Sequence, residues 1–166
     1  SELKDGTQMS RNARELGVIE NDDDTPVSLG VIALVPAAGK TPFWARKLEF
    51  SHIVLILNGV IWDQPIKGTG AAYIADEWMD AAGRERDFFS VSLSMPDHSP
   101  EKFRAACKEI ENKKGQPIRT VLRALRMWPK PAWNCVSPVK VVLGSLGIEL
   151  ESETPDGIIR ELASTN

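Results

Sequence analysis

Two side-chain types in this 166-residue chain can do nucleophilic chemistry together, a thiol and an imidazole. Cys135 stands in Trp133-Asn134-Cys135-Val136-Ser137-Pro138, where the extended passage Pro129-Lys130-Pro131 gives way to apolar residues at helical spacing as far as Gly144 or Gly147. Pro138 fits a first helical turn, because the N–H it lacks would have no intrahelical acceptor there. The spacing therefore predicts a thiol at a helix N-terminus. Unpaired N–H groups and the positive end of the helix dipole favour the nucleophilic anion at such a place. The same N–H groups point to where the oxygen of an attacked acyl group would gather negative charge, so the Cys135 backbone N–H is the expected oxyanion donor.

The base is expected far upstream, at His52, in the run Ser51-His52-Ile53-Val54-Leu55-Ile56-Leu57-Asn58-Gly59-Val60-Ile61-Trp62-Asp63-Gln64-Pro65. Asn58-Gly59 between two β-rich stretches predicts a hairpin with a two-residue type I′ turn, and that turn fixes a register. If Leu57 pairs with Val60, then Ile56 pairs with Ile61 and Val54 with Asp63. Alternation then puts His52, Val54, Ile61 and Asp63 on one face and Ile53, Leu55, Leu57 and Trp62 on the other, with Gln64 at its end. His52 and Asp63 become diagonal neighbours within reach of a carboxylate–imidazole hydrogen bond. Cys135 as nucleophile, His52 as general base and acid, and Asp63 as the group that orients the imidazole form the predicted site.

Each of these residues also has a plainer reading. A buried Cys is common, a His at a strand start is often a packing residue, and Asp63 could open a turn before Pro65. It is the conjunction that carries the prediction. His98, the second of two histidines, falls in Pro96-Asp97-His98-Ser99-Pro100 and reads as part of a helix cap, with a loop-borne base as the alternative. Cys107 shares a helical face with Phe103, Ala106 and Ile110, which makes it a core thiol. Trp44, Trp62, Trp128 and Trp133 are candidate walls of a substrate cleft, as is Gln64, against the alternative of packing in the core. The closest approach to a serine elbow, Gly144-Ser145-Leu146-Gly147, has the wrong spacing for one.

The remaining elements must position these groups. Residues 1–25 are polar and acidic and read as a flexible or docking arm, with residues 26–166 as a single domain. Val27 to Val35 is a buried strand, and residues 40–48 form a connection carrying Phe43 and Trp44. Ala71 to Gly83 reads as a short helix with Tyr73, Ile74, Trp78 and Met79 on its apolar side. Phe88 to Met95 alternates as a strand with Phe89, Val91, Leu93 and Met95 inward. Ser99-Pro100 opens one helix, and Ile118 to Trp128 forms another whose Arg119, Arg123 and Arg126 read as a solvated basic face. After the Cys135 helix, Thr154-Pro155-Asp156 caps a last helix.

The net charge of −3 gives no reason to expect nucleic acid as a partner, and no apolar run is long enough to span a bilayer. Two cysteines and two histidines supply neither a disulfide framework nor a metal site, so no cofactor is expected and a reducing compartment suits the thiols. The first thirty residues are not signal-like. A cytoplasmic location is the expectation unless a leader precedes them.

With His52 on a hairpin and Cys135 opening a late helix, the chain resembles the permuted papain-like cysteine hydrolases, the superfamily of permuted NlpC-type peptidases and the lecithin retinol acyltransferase group. The likeness runs over roughly residues 27–162, from VSLGVIALV through SHIVLILNGVIWD and FFSVSLSMP to the Cys helix and Thr154-Pro155-Asp156-Gly157-Ile158. Asn134-Cys135 is similar to the Asn-Cys start of the acyltransferase motif, while Val136-Ser137-Pro138 departs from the family pattern. The resemblance implies an α+β fold, with a small, mostly antiparallel sheet packed against the helix that bears the thiol. It implies hydrolysis of a peptide, amide or acyl ester through an acyl-enzyme. Acyl transfer on the same fold, and an inactive structural or binding protein in a larger assembly, are the alternatives. The family's third polar residue falls on Asp63 in the register above, or on Gln64 if the turn is one residue longer.

Overall fold

Asn58 and Gly59 turn the chain with φ of 49° and 79°, the left-handed pair that a type I′ hairpin requires. They join β2 (His52–Leu57) to β3 (Val60–Asp63) in the expected register, Leu57 opposite Val60 and Ile56 opposite Ile61. The computed structural model describes residues 29–35, 49–82, 87–93 and 99–165. The expected N-terminal arm, the connection carrying Phe43 and Trp44, Met95 and His98 lie outside the described residues.

The hairpin is the middle of a five-stranded antiparallel sheet. β1 (Leu29–Leu34) flanks β2, with Leu34 opposite His52, and β6 (Phe88–Leu93) forms one edge beyond it. β5 (Ala71–Ile74) forms the other edge, beside β3. The first four residues of what the sequence suggested as one helix are thus a strand, and α1 is confined to Ala75–Ala82. The open edge of β3 offers hydrogen bonds to residues 71–74, and Tyr73 and Ile74 suit a pleated surface, so pairing overrides the helix preference of the alanines.

Both sheet faces are covered, as the apolar character on both sides of the hairpin requires. One face, with Ile53, Leu55, Leu57 and Trp62, packs on three helices: α2 (Pro100–Glu111), α4 (Val136–Ser145) and α5 (Pro155–Thr165). Cys107 lies in this core beside Phe103 and Ile110, buried as its helical spacing predicts. The other face, with Val54, Ile61 and Tyr73, is covered by Trp78 of α1. Each fully buried Ile or Leu in these layers contributes about 1.5–3 kcal/mol.

Two expectations shift. Phe89 is 47% exposed because β6 is an edge strand; Val91 and Leu93 reach the core, and Phe89 meets Phe50 at 6.2 Å between ring centroids. α3 is short, Pro117–Ala124, rather than running to Trp128. A two-stranded ribbon, β4 (Gly68–Thr69) with β7 (Lys114–Gly115), ties the segment after β3 to the connection between α2 and α3. The chains approach so closely there that a Cβ on Gly115 would overlap the Ile66 carbonyl. Among the described residues no helix is long and apolar enough to cross a membrane.

Candidate active site

His52 begins β2 and Asp63 ends β3, so the antiparallel hairpin delivers both to the end opposite its turn. His52 Nε2 lies 2.7 Å from Asp63 Oδ1, and the Trp78 indole N–H donates to Asp63 Oδ2 at 3.0 Å. Cys135 lies near enough to act on the charge of the imidazole, and with Nε2 taken by the carboxylate, Nδ1 is the nitrogen left for it. The three residues expected to form the site are therefore brought together.

The electrostatics follow from that chain. His52 and Asp63 keep side-chain exposures of only 20% and 19%. Burial alone would lower the His52 pKa. The Asp63 charge and hydrogen bond, followed by those of Cys135, outweigh it and push His52 up from 6.5 to about 10. Burial acts to raise Asp63, but the His52 charge and hydrogen bond and the Trp78 N–H together hold it below its ordinary value. The imidazolium is thus the favoured form of His52 at neutral pH when its neighbours are anionic.

Cys135 immediately precedes α4, with φ −61° and ψ −25°. Its side chain does not cap the helix. Asn134 does that, its Oδ1 accepting the Val136 N–H at 3.0 Å, which leaves the thiol for His52. Ser137 Oγ accepts the Asn134 N–H at 3.0 Å and donates to the Ala132 carbonyl at 3.3 Å, so the unfamiliar Val136-Ser137-Pro138 tripeptide locks the turn that presents the thiol. Among the described residues no group accepts the Cys135 backbone N–H.

Gln64 has a different place from the cleft wall expected of it. It is 1% exposed and its amide donates to the carbonyls of Pro65 and Gly68, both at 3.0 Å. Its Oε1 accepts the Trp133 indole N–H at 3.1 Å. The Trp133 backbone exchanges hydrogen bonds with Gln116, N–H to Oε1 at 3.0 Å and carbonyl to N–H at 2.9 Å. Trp133 is thus an anchor two residues before the thiol, with Lys113 5.6 Å over its ring. Trp62, 2% exposed, belongs to the core, not to a cleft. Trp44 lies outside the described residues.

A cavity of about 740 Å³ opens over Cys135 and His52, lined by Ser51, Ile66, the α3 side chains Thr120 and Arg123, Trp128 and the start of α5 at Thr154 and Pro155. Trp128 is thus the one tryptophan of the four that the described residues place on the cavity. The basic side of α3 is not simply solvated. Arg119 stacks 4.8 Å over Trp128. Arg123 grips Glu153 with two hydrogen bonds of 2.9 and 2.8 Å and donates to the Trp128 carbonyl at 3.2 Å, which fixes the distance between two cavity walls. Arg126 also lines the cavity. It occupies the left-handed position of a Schellman turn, with its N–H bonded to the Arg123 carbonyl at 3.0 Å and the Met127 N–H to the Leu122 carbonyl at 2.7 Å.

Sequence reasoning read Arg123 and Arg126 as a solvated face and Asp156 as part of a helix cap, and so missed what they do here. The Asp156 carboxylate accepts the N–H groups of Glu49 and Phe50 at 2.8 and 2.7 Å and so holds the chain just before His52. Partners separated by thirty or a hundred positions leave no local pattern to read. The Schellman turn also lacked its usual signal, because Arg126 stands where glycine is common. Among the described residues no group of three or more His, Cys, Asp or Glu side chains could hold a metal ion. No family model, curated protein or solved structure matches the chain.

Proposed function

We propose that the protein is a thiol hydrolase of the permuted papain-like kind, acting on an amide or ester through an acyl-enzyme on Cys135. The observation that carries this reading is the hydrogen-bonded chain from His52 through Asp63 to Trp78, with Cys135 near the imidazole, at the wall of a cavity large enough for a small acyl group and its leaving group. The order of its parts, His-bearing hairpin before Cys-bearing helix, supports the permuted arrangement.

Cys135 Sγ, whose proton His52 Nδ1 holds, forms a bond to the acyl carbon as the carbonyl π electrons move onto oxygen. The Cys135 backbone N–H stabilises that oxyanion. Collapse of the intermediate re-forms the carbonyl and breaks the bond to the leaving amine or alkoxide, which takes the proton from Nδ1. Water then attacks the thioester with His52 as base, and Cys135 departs as thiolate. Asp63 holds Nε2 through both halves, keeping Nδ1 directed at Cys135.

Short activated acyl esters, followed by intact-protein mass spectrometry and peptide mapping, test the reading. One acyl group on Cys135, forming much more slowly in His52→Ala, is the expected result. Acylation of Cys107 instead, or a rate on Cys135 that His52→Ala leaves unchanged, would overturn it.

A further inference from the structure

We propose that Arg126 determines specificity by pairing with an anionic group on the acyl donor, so that the substrates of the site are carboxylate-bearing acyl compounds. This rests on the thiol hydrolase reading and adds the substrate class to it. Among the described residues two guanidinium groups line the cavity that holds Cys135, and they are not equivalent. Arg123 is committed to Glu153 by two short hydrogen bonds and to the Trp128 carbonyl by a third, so its charge is neutralised within the wall. His52 is likewise paired with Asp63. Arg126 is exposed and has no acidic partner among the described residues. Among the described residues it leaves one uncompensated positive charge on the cavity that also holds the nucleophile.

The backbone around Arg126 makes this more than a stray surface charge. The Schellman turn fixes its Cα at φ 61°, a conformation that favours glycine. The side chain is therefore carried on a hydrogen-bonded turn against the wall that the Arg123–Glu153 pair holds rigid. A planar guanidinium carried on such a turn matches a carboxylate through two parallel N–H donors. A donor whose carboxylate lies a few methylenes from its acyl carbon can engage Arg126 while the carbonyl meets Cys135.

Three p-nitrophenyl esters of similar length test this: the glutarate monoester (anionic), the butyrate (neutral) and the 4-(trimethylammonio)butyrate (cationic), each normalised to its hydroxide-catalysed rate. The expected result is a kcat/KM for the glutarate ester about tenfold above that of the butyrate at low salt, carried mainly by KM and shrinking as ionic strength rises. Arg126→Gln brings the two to parity, and Arg126→Glu reverses the order in favour of the cationic ester. A wild-type enzyme that takes the butyrate ester as readily as the glutarate, or a preference that persists in Arg126→Gln, would overturn the role of Arg126 while leaving Cys135 acylation in place. If none of the three esters acylates Cys135, the hydrolase reading itself fails and this inference with it.

Discussion

Replacing Asp63 by Asn keeps the shape of the site and removes its charge, so it isolates what the carboxylate does. In the native protein Asp63 Oδ2 accepts from Trp78 at 3.0 Å and Oδ1 meets His52 Nε2 at 2.7 Å. An asparagine must still offer its one oxygen to the Trp78 N–H, which turns its NH₂ toward His52. That group donates, so Nε2 must accept, and the ring proton moves to Nδ1, where it faces Cys135. The base is then in the wrong tautomer, and acylation of Cys135 should fall by about 10²–10⁴-fold. Two of the four influences that raise His52 are lost with the charge, while burial still lowers it, so its titration should drop from about 10 toward or below 6.5. The pair is mostly withdrawn from water, and breaking it should cost about 3–5 kcal/mol of stability at neutral pH. The His52 Hε1 resonance, followed by NMR from pH 4 to 11, reads the titration directly, and Cys135 alkylation by iodoacetamide reads the nucleophile without any assumption about substrate. An Asp63→Asn protein with a His52 midpoint still near 10, or with acylation within threefold of wild type, would refute the reasoning.

The same pair sets a pH window for the fold. His52 is raised on folding, so its contribution is full below 6.5 and is lost as the pH climbs through about 10; Asp63 is lowered, so its contribution is full above 3.8 and is lost as the pH falls. Urea unfolding should therefore show greatest stability from this pair between those two values, with a decline on either side that Asp63→Asn flattens. Cys135→Ser removes a contact that also raises His52, and should lower the NMR midpoint while leaving the fold intact and abolishing acylation of residue 135. Gln64→Leu keeps the volume but leaves the Trp133 indole N–H and two carbonyls without their partner, which should cost about 2–4 kcal/mol by urea unfolding and slow Cys135 alkylation as its anchor loosens. Arg126→Gly relieves a left-handed arginine and should raise stability by about 1 kcal/mol, or Tm by about 2–4 °C, in a calorimetric scan.

What could be read from the sequence was what local chemistry dictates. Asn58-Gly59 specifies its turn through two residues that tolerate positive φ, and the register of His52 against Asp63 follows from counting outward. Pro138 marks a helix start through the N–H it lacks, and so placed Cys135. Where a tertiary partner decides, the pattern was silent or misleading. Ala71 to Ile74 has the composition of a helix start and becomes a strand because the edge of β3 is open beside it. Trp62 alternates correctly but was equally consistent with a cleft or a core until α4 and α5 cover its face. The Arg119 and Arg123 side of α3 resembles any solvated basic helix until Glu153, thirty residues on, takes Arg123.

The adjacent pair Asp63 and Gln64 shows why the hairpin register matters more to this site than any single side chain in it. Successive residues leave a strand on opposite faces. Asp63 goes to the side of Val54 and Trp78 and holds the imidazole. Gln64 goes to the side of the helices and holds Trp133, two residues from the thiol. One turn thus aligns the base and tethers the nucleophile, from two neighbouring positions. A slip of one residue would send either the Gln64 amide to His52 or, in the other direction, the Asp63 carboxylate to the indole of Trp133. An indole N–H could still bond a carboxylate, but the carbonyls of Pro65 and Gly68 would lose their donor and the imidazole its charge partner. Each face therefore penalises the wrong register separately, and the local preference of Asn58-Gly59 for a two-residue turn is reinforced by the same contacts that assemble the site.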